Sequence, residues 1–178
     1  MNNTKQVAKD LLGKTLVRKI GNQILSGVII ETEAYKGKND PASHASRRKT
    51  ERNKIMFGEV GRAYVYFTYG MHYCFNVVAK KENDESGAVL IRAIHPQQGI
   101  KRMIKNRKTD IIPNLTNGPG KLTQAMEITL KQYNLDLTKN NSLFLIDGKT
   151  PTKVIAKPRV GIKEGVDKLW NFSIDNYF

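Results

Sequence analysis

The sequence predicts a single α+β domain: a central, curved and mostly antiparallel sheet flanked by helices, with one β-hairpin protruding from it. Three observations carry this. The 178 residues make about one domain at a prior of ~150 residues each. Segments rich in β-branched and aromatic residues recur between turn signals, as strands do. Between them lie a few stretches with helical spacing of apolar residues, and no internal repeat or low-complexity linker divides residues 1–178.

The elements follow in order. Thr4 is placed to cap a short helix whose Val7, Leu11 and Leu12 share one side and which ends at Gly13. From Leu16 the pattern becomes strand, and residues 23–33 form a β-branched run with one glycine inside. Residues 36–62 lack periodicity; with Arg47, Arg48, Lys49, Arg52 and Lys54 they read as a long basic loop, with one helical turn near Asn53. Residues 64–79 read as two strands around a tight turn at Tyr69-Gly70, and residues 88–94 as another strand. Pro96 is expected to open a helix with Ile100, Met103 and Ile104 on one face and Lys101, Arg102, Lys105, Arg107 and Lys108 over the rest. Asn117-Gly118-Pro119-Gly120 is a turn leading into a helix with apolar Leu122, Ala125, Met126 and Ile128. Short strands are expected at 143–146, at 153–155 and around Phe172.

Composition narrows the function. Lys and Arg number 30 against 16 Asp and Glu, a net charge of +14, with a pI near 9.9. Such an excess points to a polyanionic partner, most often nucleic acid. The single Cys74 allows neither an internal disulfide nor a cysteine-based zinc site, and His44, His72 and His95 lack metal-ligand spacing. No apolar run approaches the ~18 residues of a membrane span, and the N-terminus lacks an apolar signal core. The expectation is a cytoplasmic protein with no membrane attachment.

Three groups of residues could carry chemistry. Strand alternation puts Glu31, Glu33 and Tyr35 on one face, with Val28, Ile30, Thr32 and Ala34 on the other. This is either an acid/base site or an exposed polar face, and alternation alone favours the plainer exposed face. Aromatic residues crowd Tyr64 to Phe75; Phe67 and Phe75 read as sheet core. Tyr69, at the hairpin tip, is better placed as a wedge or stacking platform for bases. Gly118-Pro119-Gly120-Lys121 lacks Walker spacing but offers backbone N–H groups and a lysine to a phosphate. His72 and His95 read as structural, whereas His44 could be either.

Several segments together are distinctive: Glu31-Thr32-Glu33-Ala34-Tyr35, Asp40-Pro41-Ala42-Ser43-His44, Arg52-Asn53-Lys54-Ile55-Met56-Phe57 and Tyr64-Val65-Tyr66-Phe67-Thr68-Tyr69-Gly70-Met71. Asn76, Leu90-Ile91-Arg92-Ala93, Gly118-Pro119-Gly120-Lys121-Leu122 and Arg159-Val160-Gly161 continue the series. In this order, from about Ala8 to Phe172, the chain resembles the alkyladenine (3-methyladenine) DNA glycosylase family.

The resemblance implies a monofunctional hydrolase that flips alkylated purines out of duplex DNA, cleaves the N-glycosidic bond and starts base excision repair. It implies no metal or organic cofactor, and a monomer suffices. Glu33 matches the general base, with Arg92 and the Val160 carbonyl helping to hold the attacking water. Tyr35, His44 and Tyr66 match the walls of the base pocket, and Asn76 the residue that disfavours the 2-amino group of guanine. Tyr69 matches the intercalating residue, and Lys121 and Met71 fall near the DNA backbone. Glu31 is expected to support rather than react. Asn171 departs from the family, which usually has a basic residue there, and the chain ends at Phe178, slightly short of the usual ending. The rival readings are a non-catalytic nucleic-acid-binding module on the same scaffold and an RNA-directed N-glycosidase.

Overall fold

The computed structural model describes residues 3–174, so the C-terminal ending singled out above lies outside the described residues. Helix α1 (Thr4–Asp10) precedes strands β1 (Thr15–Ile20) and β2 (Gln23–Lys36); β3 (Ala63–Thr68), β4 (His72–Val78) and β5 (Gly87–Gln98) follow a long loop. Helices α2 (Ile100–Arg107) and α3 (Pro119–Ala125) come next, then β6 (Leu143–Ile146), β7 (Ile155–Lys157) and β8 (Asn171–Ser173). The strands pair antiparallel in the order β3-β4-β5-β2-β1-β6. The far end of β2 also pairs with β8, which carries β7. One long strand thus has β5 along one edge and β1, then β8, along the other. This single curled α+β sheet is the predicted class.

Parity along the strands separates two faces. Val65, Val77, Val89 and Ala34 join the main core, where α1, α2 and α3 pack. Tyr64, Val78 and Ala88 point to the other face and hold Ile55 and Met56 of the long loop. That loop is anchored by buried Asn53, whose Nδ2 donates to the carbonyls of His44 (2.7 Å) and Arg48 (2.9 Å). The helical turn follows at Lys54–Phe57. The space between loop and sheet becomes the site.

Four local expectations change. The cap of α1 is Asn3, whose side chain accepts from the Gln6 N–H; the Thr4 hydroxyl is buried and donates to the Ala79 carbonyl instead, tying the helix to the sheet. Pro96 does not open a helix but lies in β5 opposite Gly27, beside a register shift, the kind of irregularity at which a sheet tolerates proline. Helix α2 begins after Gly99, at φ +74°, where a side chain would strike the Ile24 carbonyl. Phe67 is not core: it is 46% exposed and meets Tyr73 at 5.0 Å, because β4 pairs with β5 only from Asn76 on and this end of the hairpin has no third strand. The strand expected at 153–155 is displaced to Ile155–Lys157, set by its pairing with β8. Phe75 is fully buried, as expected.

Candidate active site

Glu33 is fully buried on the loop-facing side of β2, which overturns the exposed-face reading of Glu31, Glu33 and Tyr35. Alternation does place the three together. The Tyr35 hydroxyl donates to Glu33 Oε2 at 2.8 Å, while Thr32 points the other way and donates to the Ala8 carbonyl. Glu33 Oε1 accepts from the Val160 N–H at 2.7 Å and from Asn171 Nδ2 at 3.0 Å. A buried carboxylate is tolerable only when paired and hydrogen-bonded, and Arg92 provides the charge. Its Nη1 lies 3.5 Å from Glu33 Oε1 and its Nε 3.1 Å from Glu31 Oε1. Arg92 falls between Ile91 and Ala93, which pair with Thr32 and Glu31 across an irregular ladder. The irregularity turns the guanidinium onto both acids.

Above Glu33 opens a cavity of about 360 Å³, a size usual for small-ligand sites. Glu33, Tyr35, His44, Tyr66, Tyr69, Asn76, Arg92 and Val160 all line it. His44 meets the Tyr66 ring edge-on at 4.7 Å, and its Nδ1 is 3.0 Å from the Tyr64 hydroxyl. Tyr64, buried beside Tyr66, therefore sets the imidazole's position. Desolvation against these rings, and then the Arg52 charge, lower the His44 pKa to about 4. By surface area His44 is exposed, so solvent softens both effects without changing their direction, toward the neutral form. Burial raises the pKa of Tyr35, with Glu33 adding to the effect, and burial followed by Cys74 raises that of Tyr66. Asn76 is buried and donates to the Tyr64 carbonyl at 3.1 Å.

Tyr69 occupies the tip between β3 and β4 at φ 53° and is 82% exposed, beside Gly70 at φ 66°. Met71 is exposed next to it. Lys121 lies outside the cavity and donates to Asn117 Oδ1 at 2.8 Å. Its loop abuts the tip: a side chain at Gly120 would come within 3.0 Å of the His72 ring. His72 is exposed on this surface rather than built into the core.

Four features of the site are not legible in the sequence. Arg159 and Asp40 form a buried ion pair behind Tyr35; both lie in segments that carry the family resemblance, but nothing local links them. Asn171 bridges Glu31 and Glu33. Val160 meets Glu33 through its N–H, whereas the expectation concerned its carbonyl. In the sequence Tyr64 stands out only as the start of the aromatic crowd that runs to Phe75.

A buried carboxylate, a guanidinium and an aromatic cavity define an enzyme site suited to a flat heterocycle and to a reaction that develops positive charge. The family model for methylpurine-DNA glycosylases matches residues 1–177. A protein of Prosthecochloris aestuarii is 51% identical over 94% of this chain and 81% of its own length. One of Carboxydothermus hydrogenoformans is 46% identical, covering 96% and 89%, and one of Francisella tularensis subsp. tularensis is 44% identical, covering 98% and 92%. All three are provisionally named 3-methyladenine DNA glycosylases. The chain belongs to the methylpurine-DNA glycosylase family. Its activity is that of a DNA glycosylase, a DNA-repair hydrolase that binds DNA as its substrate. Among the described residues, no helix is long and apolar enough to cross a membrane.

Proposed function

We propose that this protein excises alkylated purines, 3-methyladenine foremost, from duplex DNA, with Glu33 as the general base. The observation that carries this reading is the placement of a fully buried Glu33 on the aromatic cavity. Two N–H donors and the Arg92 guanidinium crowd its Oε1, whereas among the described residues Oε2 meets only the Tyr35 hydroxyl and keeps acceptor capacity. A water on Oε2 attacks C1′ of the flipped nucleotide and gives its proton to Glu33. The C1′–N bond breaks and its electron pair leaves with the base. A cationic N3-alkylated adenine takes up that pair and departs neutral, without a proton donor. The carboxylate also stabilises positive charge at C1′ as the bond lengthens.

Tyr35, His44 and Tyr66 flank the flipped base, and a neutral His44 avoids repelling a cation. Asn76 donates toward the base edge and disfavours a 2-amino group. Val160 orders the acid through its N–H, and its carbonyl helps hold the water. Tyr69 fills the gap in the stack, offsetting part of the few kcal/mol that flipping costs. Met71 and Lys121 lie against the backbone, and the net charge of +14 supplies the general attraction. The protein acts as a monomer on damaged DNA of the cytoplasmic nucleoid, with no organic cofactor. Release of free 3-methyladenine from methylated duplex DNA tests the reading; release only from RNA carrying the same lesion, or binding without release, would contradict it.

A further inference from the structure

Trp170, the only tryptophan of the chain, stands just before β8 and lines a second hollow, of about 410 Å³, that shares no residue with the active-site cavity. The Arg159 guanidinium, held by Asp40, lies 5.1 Å from the Trp170 ring and 4.7 Å from that of Tyr35, so the buried pair stands at the back of both sites. The hollow is at the end of the sheet away from the Tyr69 tip. Strand β4 leaves the tip at His72 and ends at Val78 beside Ala88, and the preceding Gly87 pairs with Lys36.

Three ammonium groups gather on the Trp170 ring: Lys168 Nζ at 4.8 Å, Lys5 Nζ at 5.7 Å and Lys36 Nζ at 5.9 Å. They come from three separate segments, and among the described residues none of them forms an ion pair. Lys38 joins them at the wall of the hollow, where Asp84 and Glu85 are the acids, so cations are in excess. Like charges on one ring repel, and a cation–π contact open to water is weak. An anion shared by several lysines is the stronger partner. The wall also holds Ser86, 2% exposed, whose Oγ has no hydrogen-bond partner among the described residues. Buried hydroxyls are ordinarily satisfied. Gly37 is the neighbour that leaves this one room, since a Cβ there would come within 2.5 Å of it.

We propose that this hollow is a second nucleotide site, in which a base stacks on Trp170, the phosphate takes Lys36, Lys38 and Lys168, and the base edge meets Ser86 and Asn83. A bare phosphate would leave the ring unused, and an apolar ligand would leave the lysines unused; a nucleotide engages both. Lys36 and Lys168 are long enough to swing from ring to phosphate, which frees the ring for the base. The volume is of the order that small-ligand sites have. An unpaired nucleotide of a strand and a free nucleotide present the same chemistry here. Because the flipped base occupies the other cavity, both sites can be filled together.

Trp170 is its own reporter. Deoxyadenosine 5′-monophosphate is expected to quench its fluorescence saturably; deoxyadenosine, without the phosphate, needs about tenfold more, and inorganic phosphate alone quenches little. Lys36→Gln/Lys168→Gln keeps the ring and removes two phosphate partners, so affinity for the monophosphate falls about tenfold or more. Lys149→Gln/Lys153→Gln, an equal change of charge outside the hollow, leaves that affinity unchanged. Neither pair of substitutions changes base release from methylated duplex, which separates this site from the active one. A short oligodeoxyadenylate that quenches at lower concentration than the monophosphate assigns the site to a strand; equal concentrations per nucleotide assign it to the free nucleotide. Trp170 fluorescence unmoved by the monophosphate, or quenching undiminished in Lys36→Gln/Lys168→Gln, would overturn the proposal and leave the functional reading standing.

Discussion

Arg159 and Asp40, 119 positions apart, meet in a two-pronged ion pair of 2.7 Å contacts with neither side chain exposed. Arg159 also donates to the Ala34 carbonyl at 3.0 Å, and its guanidinium lies 4.7 Å from the Tyr35 ring and 5.1 Å from that of Trp170. The pair fastens the chain just before Val160 to β2, which lets the Val160 N–H reach Glu33. It therefore links the stability of the fold to the placement of the acid.

Removing one member leaves a buried charge uncompensated. Asp40→Asn is expected to lower unfolding stability by about 3–5 kcal/mol, measured by urea denaturation. The double variant Asp40→Leu/Arg159→Met should recover part of that loss. A single variant as stable as wild type would remove the pair from this structural role.

His44 gives a pH signature. Its folded pKa, near 4, lies below the ordinary 6.5, so the unfolded chain takes up a proton that the folded protein refuses. Its contribution is intact above about pH 6.5 and is lost as pH falls toward 4. His44→Gln should flatten the decline of stability across that window. An NMR titration placing His44 at or above its ordinary value would contradict the packing described here.

Tyr69 is exposed at the tip and holds no part of the core. Tyr69→Ala should leave the melting temperature within about one degree, as surface substitutions generally do. It should slow single-turnover excision from duplex about tenfold or more, with less effect on single-stranded substrate, where no stack must be opened. Equal rates on duplex for variant and wild type would remove the wedge.

The affinity for undamaged DNA should fall steeply with salt, as phosphate contacts release counterions. Lys121→Ala should reduce the slope of log K against log salt by about one without changing the preference for damaged bases. A flat dependence would leave the large positive charge without a role in binding.

Local patterns served well where local physics decides. Period-two alternation put Glu31, Glu33 and Tyr35 on one side, and the turn at Tyr69-Gly70 marked the exposed tip. Spacing could not tell whether that side was buried, because burial depends on a loop folding over it from residues 37–62. Phe67 followed the alternation of Val65 yet lies beyond the third strand, a matter of sheet registry rather than of propensity. Pro96 looked like a helix start because the register shift opposite it was invisible. Asp40 with Arg159, and Asn171 with Glu31 and Glu33, are tertiary meetings of distant segments. The roles proposed for Glu33, Arg92 and the pocket residues rest on the family resemblance; the structure adds that they line one cavity.

The most direct measurement is release of free base from methylated duplex DNA by wild-type protein and by Glu33→Gln, with DNA binding followed in parallel. Glu33→Gln keeps the size of the side chain and removes the base. Wild type is expected to release 3-methyladenine, and the variant to lose about 10²-fold or more of that rate while still binding damaged DNA. Release by Glu33→Gln at the wild-type rate would contradict it.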